Sequence, residues 1–380
     1  MTLEAHGDFD ARAGRAACVC DGTLAGADDL GARETARLAA SFGLAVLAQA
    51  LALMALPEAS RLIAPRVDMI GWPFALALLG AALASLPAAF LADAFGRRAI
   101  VALGASLGVA GGALSVFAVA RGNFPLLCLG AFWLGTTQGF GLYYRHIAAL
   151  SSRLGARGGS AVLAGGAFAA LLAPAMVTLG ARVAGEGPSG PLLGAVALHI
   201  LGLALAARLP PAAPEQALRE SAAEPFAWGG SNFLLACFGG GIAWFAMSAT
   251  MLHGPGALAR CEAAPLFIGG AMAWHLLAMY APTAVAAWRP ALFPPRETLF
   301  AGVALAVLAA ASLSRAASLE GATTALLLVG VGWSLANIAG LRLLHDSARP
   351  PRVALALHDL ILLAAATAGA LARMGLSGPY

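Results

Sequence analysis

Apolar and polar positions along this chain come in blocks and do not alternate. Apolar stretches recur at 37–57, 70–92, 99–120, 124–145, 159–183, 189–209, 226–252, 264–288, 298–315, 321–345 and 353–373, separated by short polar breaks. Each is close to the roughly 20 residues that an α-helix needs to cross a bilayer. The pattern predicts an all-α, polytopic membrane protein with eleven spans. A membrane β-barrel is excluded, because its strands would show period-two alternation over about ten residues each. Residues 1–36 hold scattered acids and glycines without an apolar core. They read as a flexible tail and not as a signal peptide.

The longest interior break is LPPAAPEQALRESAAEPF, residues 209–226, rich in proline and glutamate. It follows the sixth run. The chain therefore reads as a six-helix lobe over 37–209, a linker over 210–225, and a second lobe of about five helices over 226–380. That is the layout of a two-lobe transporter with its twelfth helix missing. After Arg373 only MGLSGPY follows, too short and too polar for another crossing.

Composition agrees with the pattern. The 380 residues are 60% hydrophobic and 11% charged, against about 25% charged in soluble domains. Every basic residue is an arginine. Sixteen of the 23 fall in the tail and in the breaks on its side, seven in the others. The positive-inside rule then places the N-terminus in the cytoplasm. The arginines lie singly or in pairs at span ends, which gives nucleic acid no basic face to bind. Five cysteines, an odd number without paired spacing, do not form a secreted disulfide framework.

Candidate chemistry lies inside two spans. WFAMSATMLHG (244–254) places Met247 and Met251 four residues apart, and AWHLLAMYAP (273–282) does the same for His275 and Met279. Four residues advance about 400° on a helix, so each pair shares one face. Thioether and imidazole are neutral, soft-to-borderline ligands that suit cuprous copper. Met272, three residues before His275, extends that face as a further ligand. The alternative is adaptable packing, with the methionines as the wall of a cavity for an organic cargo. His253 points off the methionine face and reads as a loop histidine. Cys261 shares its loop. Cys18 and Cys20 form a Cys-Val-Cys that could accept copper in the tail or pair by chance. Cys128 and Cys237 read as packing. Gln49, Gln138, Asn232 and Asn337 could line a cavity or bond across helices. Tyr143, Tyr144, Arg145 and His146 read as an interfacial anchor, with contact between Arg145 and an anionic organic cargo as the alternative. No in-span acid stands out as a proton carrier. No phosphate loop, triad or catalytic carboxylate pair suggests an enzyme.

LADAFGRRAI (91–100) resembles the signature loop of the major facilitator superfamily, roughly G-x-x-x-D-R-x-G-R-R. Asp93, Gly96, Arg97 and Arg98 match, while Ala89 and Ala94 replace the first glycine and the first arginine. The resemblance implies a loop that locks the lobes in one access state. QGFGLYYRHIAAL (138–150), VLAGGAFAALLAP (162–174), AMSATML (246–252), AWHLLAMYAP and VGWSLANIAGLRLL (331–344) resemble the CcoA-like bacterial copper importers, a branch that also holds riboflavin-type transporters. That resemblance implies a Met247, Met251, His275 and Met279 copper site in a multi-pass protein of the bacterial inner membrane. It implies copper import for haem-copper oxidase assembly, with copper as cargo, a cytoplasmic copper acceptor and no permanently bound cofactor. A riboflavin-type carrier and a non-transporting scaffold or assembly factor are the alternatives.

Overall fold

In the computed structural model all eleven apolar runs become helical crossings. The structure describes residues 30–151, 154–209, 226–251, 253–346 and 350–376, with residues 93, 151 and 373–376 by their backbone alone. α1 (Ala32–Ile63) begins inside the expected tail and is followed by α2 (Trp72–Arg121). α2 is two crossings joined at Gly96, whose φ of 77° and ψ of 175° break the helix. Glycine suits that bend because a Cβ is strained at positive φ. α3 (Phe124–Ser151) returns. The fifth crossing is split at Gly165 into α4 (Ala156–Ala164) and α5 (Gly166–Ala184). α6 (Ser189–Ala206) completes the first half.

The second half holds α7 (Ser231–Met251), the short α8 (Gly254–Arg260), α9 (Pro265–Trp288), α10 (Pro295–Leu313), α11 (Leu319–His345) and α12 (Arg352–Leu376). Residues 210–225, the expected linker, lie outside the described residues, as do 1–29 of the tail. Among the described residues, nine helical segments are long and apolar enough to cross a membrane by themselves. The two further crossings are α3 and α9. Polar side chains dilute both, and both line the site described below.

Successive crossings run antiparallel, so α1 starts and α6 ends at one end of the bundle, here called the linker side. Arg37 Nη1 donates to the Arg208 carbonyl there at 2.9 Å. In the second half Arg296 Nη2 donates to Ser231 Oγ at 3.2 Å and to Asn232 Oδ1 at 3.1 Å. Asn232 therefore ties helix ends together and does not line a cavity, because it is the second residue of α7. Gln49 and Gln138 do bond across helices, with Nε2 of the first donating to Oε1 of the second at 2.8 Å.

Small residues set the close helix spacing, as expected where lipid gives no hydrophobic drive between helices. A Cβ at Gly135 of α3 would overlap the Ala77 carbonyl of α2. Gly135→Leu should cost about 3 kcal/mol by overpacking. The expected result is loss of the monodisperse peak when a fluorescent fusion is run by size exclusion. A parent-like peak would show that α2 and α3 can move apart at little cost.

Candidate functional site

Near its linker-side end α3 carries Arg145 and His146 into the second half. Arg145 Nη2 donates to Asp359 Oδ1 of α12 at 2.5 Å, and Nη1 donates to Asn337 Oδ1 of α11 at 2.7 Å. His146 Nε2 and His358 Nδ1 each lie 3.1 Å from the same Oδ1. His146 Nδ1 lies 3.1 Å from His345 Nε2. A carboxylate only accepts, so His146 Nε2–H and His358 Nδ1–H are the donors, and neutral His146 Nδ1 accepts from His345 Nε2–H. Arg145 and Asp359 are each 1% exposed. Asp359 Oδ1 thus takes three donors, while Oδ2, buried, has no hydrogen-bond partner.

This cluster corrects two expectations. Tyr143, Tyr144, Arg145 and His146 are buried and do not anchor at an interface. The reason is that α3 runs on to Ser151, which keeps them inside the bundle. And a buried in-span acid does exist. Asp359 sits in LALHDLILL, the one polar break in its apolar run. An ionisable residue in such a run is costly and marks function by default, which was the available signal.

Toward mid-depth lies a line of four rings: Phe42 of α1, Tyr280 of α9, Trp333 of α11 and Trp244 of α7. Successive centroids are 5.8, 5.6 and 5.0 Å apart, each pair edge-to-face. Tyr280 seats there because Gly166 lacks a Cβ, which would meet its ring at 2.6 Å. Trp244 Nε1 points at Asn337 Oδ1, 3.4 Å away, which links the rings to the polar cluster. Trp333 Nε1 is buried and has no hydrogen-bond partner. With a rise of 1.5 Å per residue, the rings lie roughly 12–20 Å from the linker-side helix ends.

The expected metal ligands fall as follows. Met247 is buried in the main core, and Met251 and Met279 pack against it half-buried. Met272 is also half-buried. His275 is fully buried; its Nδ1 donates to the Leu326 carbonyl of α11 at 2.6 Å, and its Nε2 has no partner. α7 packs on α10, α11 and α12, whereas α9 packs on α4, α5 and α11. The two do not pack on each other as a pair, so the Met247–Met251 face and the His275–Met279 face have different neighbours. They also run in opposite senses, so Met251 and Met279 differ in depth by about 15 Å from helix rise alone. Met247 and His275 lie closer in depth.

Of the loop residues, Gly96 makes the bend, Arg97 is buried and Arg98 is exposed. The side chain of Asp93 lies outside the described residues, as do Cys18 and Cys20. His253 precedes α8, Cys261 ends it half-buried, Cys128 is half-buried and Cys237 is buried in α7.

The fold recurs in known proteins. The fold is that of the proton:xylose symporter XylE, with a TM-score of 0.68 at 15% identity over 90% of this chain and 88% of that one. The E. coli fucose:proton symporter FucP gives 0.62 at 15% identity, with 90% of each chain covered. In sequence, the riboflavin transporter RfnT of Brucella anthropi is 28% identical over 295 residues, 74% of this chain and 73% of that protein. Residues 38–372, from α1 through α12, match the sequence model of the Major Facilitator Superfamily, and to that family of multi-pass carriers the chain belongs.

Proposed function

We propose that this secondary transporter carries a flat, polar heteroaromatic solute of the riboflavin type. The observation that carries the reading is the ring line, in which the buried Trp333 indole N–H has no hydrogen-bond partner and the Trp244 N–H lies 3.4 Å from Asn337 Oδ1. A tricyclic ring with imide carbonyls offers a π-face to the rings and acceptors to the Trp333 N–H. Only Phe42 of the four rings comes from the first half, so the seam between Phe42 and Tyr280 opens when the halves part. The two rings are in edge-to-face contact with centroids 5.8 Å apart, so this seam is closed now. The relative named for riboflavin supports the same class of cargo. Six-span and five-span lobes would rock about the stretch 210–225, with the linker side in the cytoplasm of a bacterial inner membrane.

Uptake of radioactive riboflavin by proteoliposomes tests this. The expected result is saturable uptake that excess unlabelled riboflavin blocks and a cuprous chelator leaves unchanged. Proteoliposomes indistinguishable from empty ones would overturn it.

Copper remains a second reading because of one feature. His275 has Nδ1 fixed by a carbonyl and a bare buried Nε2, the usual posture of a ligating imidazole. Given the depths above, Met251, Met247, His275 and Met279 would then serve as successive two-coordinate stations and not as one cage. This reading expects cuprous uptake that His275→Leu reduces at least about tenfold. Equal uptake by variant and parent would remove it.

A further inference from the structure

His146 and His345 come from opposite halves and meet toward the linker side. His146 belongs to α3, and His345 is the last residue of α11. The ring centroids are 5.4 Å apart, and His146 Nδ1 lies 3.1 Å from His345 Nε2. The other hydrogen bonds described between the halves lie toward the same side, among them Arg157 Nε to the Ala287 carbonyl at 3.1 Å. That side is therefore shut. We infer that His146 Nδ1 and His345 Nε2 bind one divalent ion of the zinc class, taken up from the linker side, and that the bound ion clamps the two halves together there.

The first ligand is already in the required tautomer. His146 Nε2 lies 3.1 Å from Asp359 Oδ1, so Nε2 carries the proton and Nδ1 presents a lone pair. A carboxylate on the far nitrogen is the usual support of a metal-bound imidazole, because it fixes the tautomer and the ring. Arg145 Nη2 holds that carboxylate in turn at 2.5 Å, across the ring from Nδ1. The guanidinium thus steadies the ligand and leaves the metal position open. Spacing selects the ion. Two Zn–N bonds of about 2.05 Å at a tetrahedral angle place their nitrogens roughly 3.3 Å apart. The observed 3.1 Å is within a few tenths of that. A linear two-coordinate ion, as cuprous copper prefers, would need about 4 Å from bonds of that length. His146 is fully buried and His345 half-buried, so the pair opens toward the linker side, where water can fill the other coordination positions.

Binding replaces the hydrogen bond between the rings. His345 moves its proton from Nε2 to Nδ1, both imidazoles stay neutral, and each gives the ion one lone pair. His146, His358 and Asp359 also offer ligand atoms within 4.8 Å of one another. That trio is the poorer site, because its atoms converge on Oδ1, which Arg145 and both imidazole N–H groups already fill. The consequence for transport comes from the attachment of the two nitrogens. Opening the linker side draws α3 away from α11, and two metal–ligand bonds cannot span the gap. The ion is held by both ligands only while that side is shut, so it stabilises the shut state. Zinc on the linker side therefore inhibits the carrier.

The inference rests on the family's transport activity and not on the cargo, so its test needs no cargo. The protein is purified without a histidine tag and carries Cys18→Ser, Cys20→Ser and Cys261→Ser, which removes the tail and loop thiols. Zinc chloride at a hundredfold excess over its dissociation constant should raise the thermal midpoint by roughly 5 °C. His345→Gln keeps an N–H for His146 Nδ1 but has no imidazole. It should lose most of the shift and bind one zinc fewer by equilibrium dialysis. His146→Gln should lose the shift equally, since a bridge needs both ends. A parent with no shift overturns the inference, and so does either variant that retains it. Should His146→Gln not be monodisperse, one equivalent of cupric ion serves as the probe, because electron spin-echo modulation counts its imidazole ligands. The expected count is two in the parent and one in His345→Gln, and a single imidazole in the parent overturns the bridge.

Discussion

Arg145→Met should lower the thermal midpoint of the detergent-solubilised protein by roughly 5–10 °C. The arithmetic comes from burial. Arg145 and Asp359 are 1% exposed and 2.5 Å apart. Removing one partner of such a pair leaves a buried charge uncompensated, at a cost of about 3–5 kcal/mol. In a chain of this size each kcal/mol is worth about 2 °C. Asp359→Asn should cost a similar amount, because it strands the guanidinium instead. The double variant Arg145→Met/Asp359→Asn should recover most of the loss, since replacing both members of a buried pair is often close to neutral. The coupling energy of the cycle is therefore expected near 3 kcal/mol or above. Additive losses in the double variant would show that the two charges do not sense each other, and the pair would then have no Coulombic basis.

The crossings were legible because lipid makes the rule strict. A segment of about 20 apolar residues has to be a helix, and even the tilted or broken ones obey it. α2 and the α4–α5 break were not legible as such. Both depend on single glycines whose role is set by neighbours distant in sequence, Gly96 at a bend and Gly165 beside Gly43 of α1. The site was half legible. The Met-x-x-x-Met and His-x-x-x-Met spacings put each pair on one helix face by geometry, but spacing within a helix says nothing about which helices touch. α7 and α9 face different partners, and that is a property of the bundle. Arg145 looked like an anchor because it stands where the apolar run ends. Burial depends on how far the helix continues, and α3 continues six residues past it. Asp359 was overlooked for the opposite reason: one acid barely alters an apolar run of this length. Its cost in lipid, not its effect on hydropathy, is what should draw notice.

Trp333→Ala should reduce the apparent affinity for riboflavin by about 5–150-fold, the range given by the 1–3 kcal/mol of one aromatic stacking contact. Trp333 is the largest fully buried side chain among the described residues and the ring that joins Tyr280 to Trp244. Its loss interrupts the line at the centre. Trp333→Phe separates the two roles of the indole. Phenylalanine keeps a π-face but has no N–H, so the variant should recover most stacking and lose the hydrogen bond to a ring carbonyl. The expected order of affinity is parent, then Phe, then Ala. A solute without an aromatic ring, such as a sugar, would give no such order. Under the copper reading, Trp333→Ala leaves Met247, His275 and Met279 intact, so cuprous uptake should survive it. His275→Leu reverses the pattern, sparing riboflavin and abolishing copper. The two variants, each assayed with both cargoes, therefore assign the cargo by which row of the comparison collapses. If Trp333→Ala transports riboflavin with parental affinity, the ring line is packing alone and the organic-cargo reading loses its one structural support.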